Sequence, residues 1–107
     1  MNLLNKKSIE RKGVRPLVSV EIKKYLKYLE FPWEVIDNKK ITHTFKLSTF
    51  REAIKIVNKV ASLAEAENHH PNIHILYNKV KIVLSTHSVG GLSENDFIVA
   101  AKIEQLI

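Results

Sequence analysis

The sequence predicts an α+β domain, a four-stranded antiparallel sheet with helices packed on one face, in the order α-β-β-α-β-β-α. Three observations carry this reading. Two pairs of short segments rich in β-branched and aromatic residues are each joined by turn residues, Asp37-Asn38-Lys39 and Asn78-Lys79, as antiparallel hairpins require. The stretches before, between and after these pairs repeat apolar residues at helical spacing. The chain has 107 residues, 45% hydrophobic and 26% charged, enough for one core with little left for a second.

From Ser19 the chain reads as a helix. Ser19 serves as N-cap, Glu21 suits the positive helix start, and Val18, Ile22, Tyr25, Leu26 and Leu29 share a face. Phe31-Pro32 stops it, and residues 33–36 form a short strand before the Asp37-Asn38-Lys39 turn. Ile41, His43, Phe45 and Leu47 then alternate with Thr42, Thr44 and Lys46, the period of a half-buried strand. The clearest helix follows, capped by Ser48 or Thr49, with Thr49 and Glu52 in capping-box spacing. Phe50, Ala53, Ile54, Val57, Ala61 and Ala64 lie along one of its faces, and Pro71 ends it near Asn68. Residues 73–77 and 80–86 are the second strand pair. Gly90-Gly91 breaks the chain, and Ser93 with Asp96 opens a last helix in the same capping-box pattern.

Composition excludes several chemistries. With no Cys there is no disulfide framework, thiolate zinc site or cysteine nucleophile. No apolar run approaches the roughly 20 residues that span a membrane. The N-terminus lacks the apolar core of a secretory signal, so a cytoplasmic location is expected. The net charge of +6 is unevenly spread: residues 1–17 hold five basic residues and one acid, whereas residues 18–107 hold 12 basic and 10 acidic. This divides the chain into a basic N-terminal extension, 1–17, and a nearly balanced single domain, 18–107. Such a distribution reads as a solvated arm and disfavours nucleic acid as a partner, although Gly13-Val14-Arg15-Pro16-Leu17 has apolar members that could dock on the domain.

The second hairpin points to a site. If Asn78 and Lys79 form the loop, Tyr77 opposes Val80, Ile73 opposes Leu84 and His70 opposes His87. Directly opposed residues have Cβ atoms about 4.5–5.5 Å apart, so His87 comes beside His69-His70. Glu65, four residues before His69, stacks on the same helix face. The product is a cluster of imidazoles and a carboxylate. Imidazole, with an unperturbed pKa of about 6.5, donates and accepts protons near neutrality. The residues alone leave three readings open: general acid/base catalysis, a zinc site of the three histidines with Glu65, or structural and solvated side chains. His74 points to the opposite face and reads as surface, while His43, Trp33 and Phe45 read as core. Asp96 needs no role beyond helix capping.

Taken together, Glu65, His69-His70-Pro71, Tyr77, His87 and Asp96 resemble the signature of the pterin-4a-carbinolamine dehydratases. The surroundings agree: Tyr77-Asn78-Lys79-Val80, Leu84-Ser85-Thr86-His87, Gly90-Gly91-Leu92, Asn95-Asp96 and Trp33 at the start of the first strand. The likeness covers roughly residues 18–107. It implies a hydro-lyase that converts 4a-hydroxytetrahydropterin to quinonoid dihydropterin and water, in the tetrahydrobiopterin recycling that follows aromatic amino acid hydroxylation. It implies no metal and no cofactor, the pterin being the substrate. His69 and His87 would be the proton-transfer pair, His70 would position the pterin, and Glu65 would orient the histidines. Trp33 would wall the pocket, and Asp96 would hold the loop after His87 beside the substrate. A homodimer or homotetramer is implied as well, with an aromatic amino acid hydroxylase acting upstream. The alternative is a non-catalytic member of the same fold, since relatives act in Rubisco assembly or as dimerisation cofactors of a transcription factor. The assembly relatives tend to lose the histidine cluster, which is complete here.

Overall fold

In the computed structural model, which describes residues 2–107, both hairpins form. Strands β1 (Glu34–Ile36) and β2 (Lys40–Lys46) flank the Asp37-Asn38-Lys39 turn, with Ile36 opposite Lys40. Asp37 and Asn38 both take left-handed φ values, 53° and 56°, which these short polar side chains tolerate. Strands β3 (Asn72–Leu76) and β4 (Lys79–Leu84) make the second hairpin. The two hairpins join through β2 and β4 to give one antiparallel sheet in the order β1-β2-β4-β3. The alternation in sequence becomes the inner face: Ile41, Phe45, Val80, Ile82 and Leu84 are all buried there. Thr44, Lys46 and Lys79 point to the other face and are exposed.

Helices α1 (Ser19–Leu26), α2 (Phe50–Glu67) and α3 (Glu94–Glu104) supply the second layer, giving the predicted α-β-β-α-β-β-α order. Short 3-10 turns occur at Leu3–Asn5 and His87–Val89. Helix α3 is the centre of the molecule. It touches α1, α2 and the Leu3–Asn5 turn, and its Phe97, Ile98, Val99, Ala100 and Ile103 are buried in one cluster with the sheet's inner face. A helix so enclosed is apolar nearly all round. Its N-terminus carries the predicted capping box, in which Ser93 Oγ accepts from Asn95 N and Asp96 Oδ2 accepts from Ser93 N at 3.0 Å. Among the described residues, no helix is long and apolar enough to cross a membrane.

Three details depart from the sequence reading. The second hairpin turns at Tyr77-Asn78 rather than Asn78-Lys79, so Leu76 opposes Lys79, Ile73 opposes Ile82, and the register is two residues shorter. The cause is remote. Leu47 N donates to Asn78 O at 2.8 Å and Asn78 Nδ2 donates to Leu47 O at 3.0 Å, which pins Asn78 to the end of β2. Tyr77 is left to take the positive φ of 56°. Second, α2 buries Ala53, Ile56, Val60, Ala64 and Glu67, a stripe rotated from the predicted one, while Phe50 and Ala61 are exposed. Two apolar stripes run along this helix at compatible spacings, and only the packing of α3 and the sheet chooses between them. Third, α1 is capped by Val18, whose N–H donates to Glu21 Oε1 at 3.0 Å, instead of by Ser19.

Residues 3–17 lie against the domain. Leu3 is buried in the core, and Leu17 N donates to Leu92 O at 2.8 Å. Between them, Lys6 and Arg11 pair with Glu94 at 3.0 and 3.5 Å. Much of the basic excess is therefore partnered.

Candidate functional site

The end of α2 sets the geometry. Asn68 takes a left-handed conformation, Asn68 N donates to Glu65 O, and His69 N donates to Ala64 O at 3.1 Å. This is a Schellman termination with Asn in the position usually filled by Gly. It turns the chain out of the helical path just before His69, so the i,i+4 relation between Glu65 and His69 no longer holds. Glu65 instead hydrogen-bonds His70 Nε2 on the exposed side of the helix end. His69 turns inward, and its Nε2 meets Asp96 Oδ1 at 2.7 Å. The carboxylate expected to orient His69 is thus replaced by one 27 residues further on.

Asp96 is the hub of the site. It is 0% exposed, and its other oxygen, Oδ2, accepts from Ser93 N at 3.0 Å and from Thr86 Oγ1 at 2.8 Å. Ser93 Oγ in turn donates to Thr86 Oγ1, since the Thr86 proton is already given to Asp96. With Asp96 acting as acceptor throughout, His69 Nε2 carries the donated proton. The remaining nitrogen, Nδ1, has no protein partner and is open to solvent. Thr86 ties the next residue into the same network. His87 begins the 3-10 turn immediately after it, and the turn is closed by Thr86 N to Gly91 O at 2.7 Å. One buried carboxylate therefore fixes His69 directly and His87 through its neighbour.

His69 and His87 line a common cleft of about 440 Å³. Thr86, Ser88 and Asn95 line it too, as do Glu67 and Asn68 from the end of α2 and residues 8–11 from the N-terminal segment. A cleft of this size lies within the about 300–1,000 Å³ range of small-molecule sites. His70 and Glu65 are not among its walls, nor is Trp33. The Trp33 indole is buried against Phe45 and His43 and donates from Nε1 to Glu104 Oε2 at 2.9 Å. The predicted opposition of His70 and His87 fails for the reason given above. In the observed register β3 starts at Asn72 and β4 ends at Leu84, so neither histidine is in the ladder. Proximity of His69 and His87 comes instead from Asp96. Among the described residues, no three of His, Asp and Glu converge as metal ligands, because Glu65 and His70 face away from the other two histidines.

Sequence reasoning missed Glu67, Asn95, Ser8 and Arg11. Glu67 could have been found: it continues the spacing of Val60 and Ala64, a charged residue on a buried stripe. It is 7% exposed and accepts from Ser8 N at 2.8 Å and Lys102 Nζ at 2.8 Å. Burial pushes its carboxyl up, but the hydrogen bonds from Lys102 and Ser8 outweigh this and hold it below the ordinary 4.5. Glu94 follows the same balance, with burial opposed by hydrogen bonds from Tyr25 and Lys6. Tyr25, which donates to Glu94 at 2.7 Å, is pushed up to about 12 by burial and by that bond.

Comparison with known proteins adds an independent line. Residues 15–106 match the family model described as pterin 4 alpha carbinolamine dehydratase. A protein of Alkaliphilus metalliredigens that carries the same family name is 44% identical over 105 residues, covering 97% of this chain and 95% of its own. Among solved structures, a transcriptional coactivator/pterin dehydratase from Brucella melitensis superposes with a TM-score of 0.80 at 32% identity, over 86% of this chain and 98% of that one. A pterin dehydratase-like RuBisCO assembly factor of the alpha-carboxysome superposes with a TM-score of 0.62 at 20% identity, over 72% and 90% of the two chains, which is a likeness of fold alone.

Proposed function

The chain belongs to the pterin 4 alpha carbinolamine dehydratase family, and on that premise we propose that it eliminates water from a 4a-hydroxytetrahydropterin by histidine acid/base catalysis. The C4a–O bond breaks as the departing oxygen takes a proton. The N5 proton leaves, and its electron pair forms the C4a–N5 double bond of the quinonoid dihydropterin. Nothing is oxidised or reduced. One proton donor and one proton acceptor complete the step, so the reading assigns no metal and no redox cofactor. Zinc bound stoichiometrically, with activity lost to a chelator, would overturn that part.

The observation that carries the reading is Asp96, which holds His69 Nε2 at 2.7 Å and accepts from Thr86, the residue before His87. His69 is the base in this reading: its open Nδ1 takes the N5 proton, and the buried carboxylate stabilises the imidazolium that results. His87, exposed at the cleft rim, is the acid at the departing hydroxyl and recovers its proton from water. His70, hydrogen-bonded to Glu65 and outside the cleft walls, takes no part in proton transfer in this reading. A positioned acid or base contributes about 10²–10⁴-fold. Stopped-flow decay of freshly generated 4a-hydroxytetrahydropterin should therefore fall by that order in His69→Ala and in His87→Ala, with the far-ultraviolet circular dichroism unchanged. Wild-type-like rates in both variants would sink the mechanism, and undetectable acceleration by the wild-type chain would favour a non-catalytic member of the fold.

Self-association is part of the same proposal. Strand β3 is a free sheet edge whose Ile75 and Leu76 are exposed, and in the turn after it exposed Tyr77 stacks beside half-exposed Phe50 with ring centroids 6.5 Å apart. An apolar, unpaired edge of this kind supports pairing with a second copy of the chain.

A further inference from the structure

The N-terminal segment that the family match leaves out is built into the cleft. Its backbone is held at several points by side chains of α2 and α3. Asn95, 4% exposed, reads the Ile9 peptide from both sides: its Oδ1 accepts from Ile9 N at 3.2 Å and its Nδ2 donates to Ile9 O at 2.6 Å. Arg11 Nε adds a bond to the same Oδ1 at 3.2 Å. Glu67, buried, accepts from Ser8 N at 2.8 Å, and Lys102 binds both Glu67 Oε2 at 2.8 Å and Lys6 O at 2.6 Å. Ser88, one residue past His87, donates to Arg11 O at 2.6 Å. A solvated arm needs none of these partners. Two buried polar side chains spend their hydrogen-bonding capacity on docking one strap, and that strap faces His69 and His87 across the cleft.

We propose that residues 8–11 form a substrate-positioning wall of the His69–His87 cleft, fastened by Asn95 and Glu67. Asn95 and Glu67, which also line the cleft, act as positioning residues by holding the strap, and Ile9→Pro tests that role with both side chains left in place. Releasing the strap removes one side of the cleft while leaving His69, Asp96 and Thr86 bonded as before. The pterin should bind more weakly, and the proton transfers, once it is bound, should proceed nearly as before. The ligand named here rests on the dehydratase reading; the docking of the strap does not.

The test uses the full chain. Asn95→Ala removes both bonds to the Ile9 peptide, and Ile9→Pro removes the donor from the strap side without altering any other wall. Trypsin under native conditions, followed by mass spectrometry, reads cleavage after Lys7, Arg11 and Lys12, which requires local release of the strap. Ile9→Pro should be cleaved there about tenfold faster than wild type, the change expected for losing one net hydrogen bond, and Asn95→Ala, which also loses the bonds to Ile9 O and from Arg11, at least as fast. Each should raise KM by a similar factor with kcat little changed, and the double variant should be no worse than the more severe single one, because both remove the same interaction. In wild type, saturating 7,8-dihydrobiopterin should slow strap cleavage. Faster cleavage in the variants with KM unchanged would overturn the proposal. So would 7,8-dihydrobiopterin that binds, by fluorescence titration, without protecting the strap, an outcome that leaves the dehydratase reading standing. Protection of the strap by 7,8-dihydrobiopterin, with no acceleration of 4a-hydroxytetrahydropterin decay by the wild-type chain, would uphold the wall and overturn the enzyme.

Discussion

Replacing Asp96 with Asn keeps the size of the side chain but removes its charge and turns one acceptor oxygen into an NH₂ donor. In the native arrangement Oδ2 accepts from Ser93 N and Thr86 Oγ1, and Oδ1 accepts from His69 Nε2. An amide can satisfy the first pair only by turning its carbonyl toward them, which aims its NH₂ at His69. His69 must then accept at Nε2 and carry its proton on Nδ1, the nitrogen that should receive the N5 proton of the substrate. The variant thus folds with the wrong tautomer. Its stability falls by about 2 kcal/mol, the difference between a charge-assisted hydrogen bond and a neutral one in a buried site. Its kcat should fall by about 10²-fold or more, toward what the site retains without a positioned base. KM should change little. Stopped-flow kinetics measures the rate, urea unfolding the stability, and long-range ¹H–¹⁵N correlation of the imidazoles the tautomer. The double variant with His69→Ala should be no slower than His69→Ala alone, since Asp96 acts through His69. A near-wild-type kcat in Asp96→Asn, with the Nδ1–H tautomer seen by NMR, would refute the assignment of His69 as base.

Further outcomes follow from the same contacts. Glu67 and Glu94, which hold Ser8, Lys6 and Arg11, have pKa values below their ordinary 4.5, so their contribution is fully present above that pH and is lost as pH falls through the lowered values. Tryptic release is unsuitable in acid, so pepsin should show the N-terminal segment protected above the ordinary carboxylate range and cleaved progressively as pH falls through the lowered values, with Lys6, Lys7, Arg11 and Lys102 left facing neutral carboxyls. Glu104 accepts from Glu30 N at 3.0 Å, Phe31 N at 2.8 Å and Trp33 Nε1 at 2.9 Å. Glu104→Ala leaves three donors unpaired and should cost on the order of 3 kcal/mol, with Trp33 fluorescence reporting the loosened site. If β3 pairs with a second copy, light scattering should give a multiple of the 12.3 kDa chain, and Leu76→Lys should lower it; a monomeric wild type would dispose of the interface.

The elements were legible in the sequence because they are local. Turn residues at Asp37-Asn38, the N-cap at Thr49, the capping box at Ser93, and the alternation along β2 each act within a few residues, and each produced the element expected. The candidate site residues were legible for the same reason, as a spaced string from Glu65 to Asp96. What the sequence could not assign was partnership. Glu65 and His69 have the right spacing for a helix face, but the left-handed Asn68 ends the helix between them and redirects the imidazole. The second hairpin has two plausible turns, and a pair of hydrogen bonds from Leu47, 31 residues away, selects one. Helix α2 offers two apolar stripes, and the burial of α3 decides which is inside. The basic start of the chain reads as a tail until Asn95 and Glu67 are found beneath it. By itself the sequence determined which elements form and which groups are available for proton transfer. Only the tertiary structure decided which carboxylate holds which histidine, because a hydrogen bond depends on direction and on angstrom-scale distance, and residues remote in the chain set both.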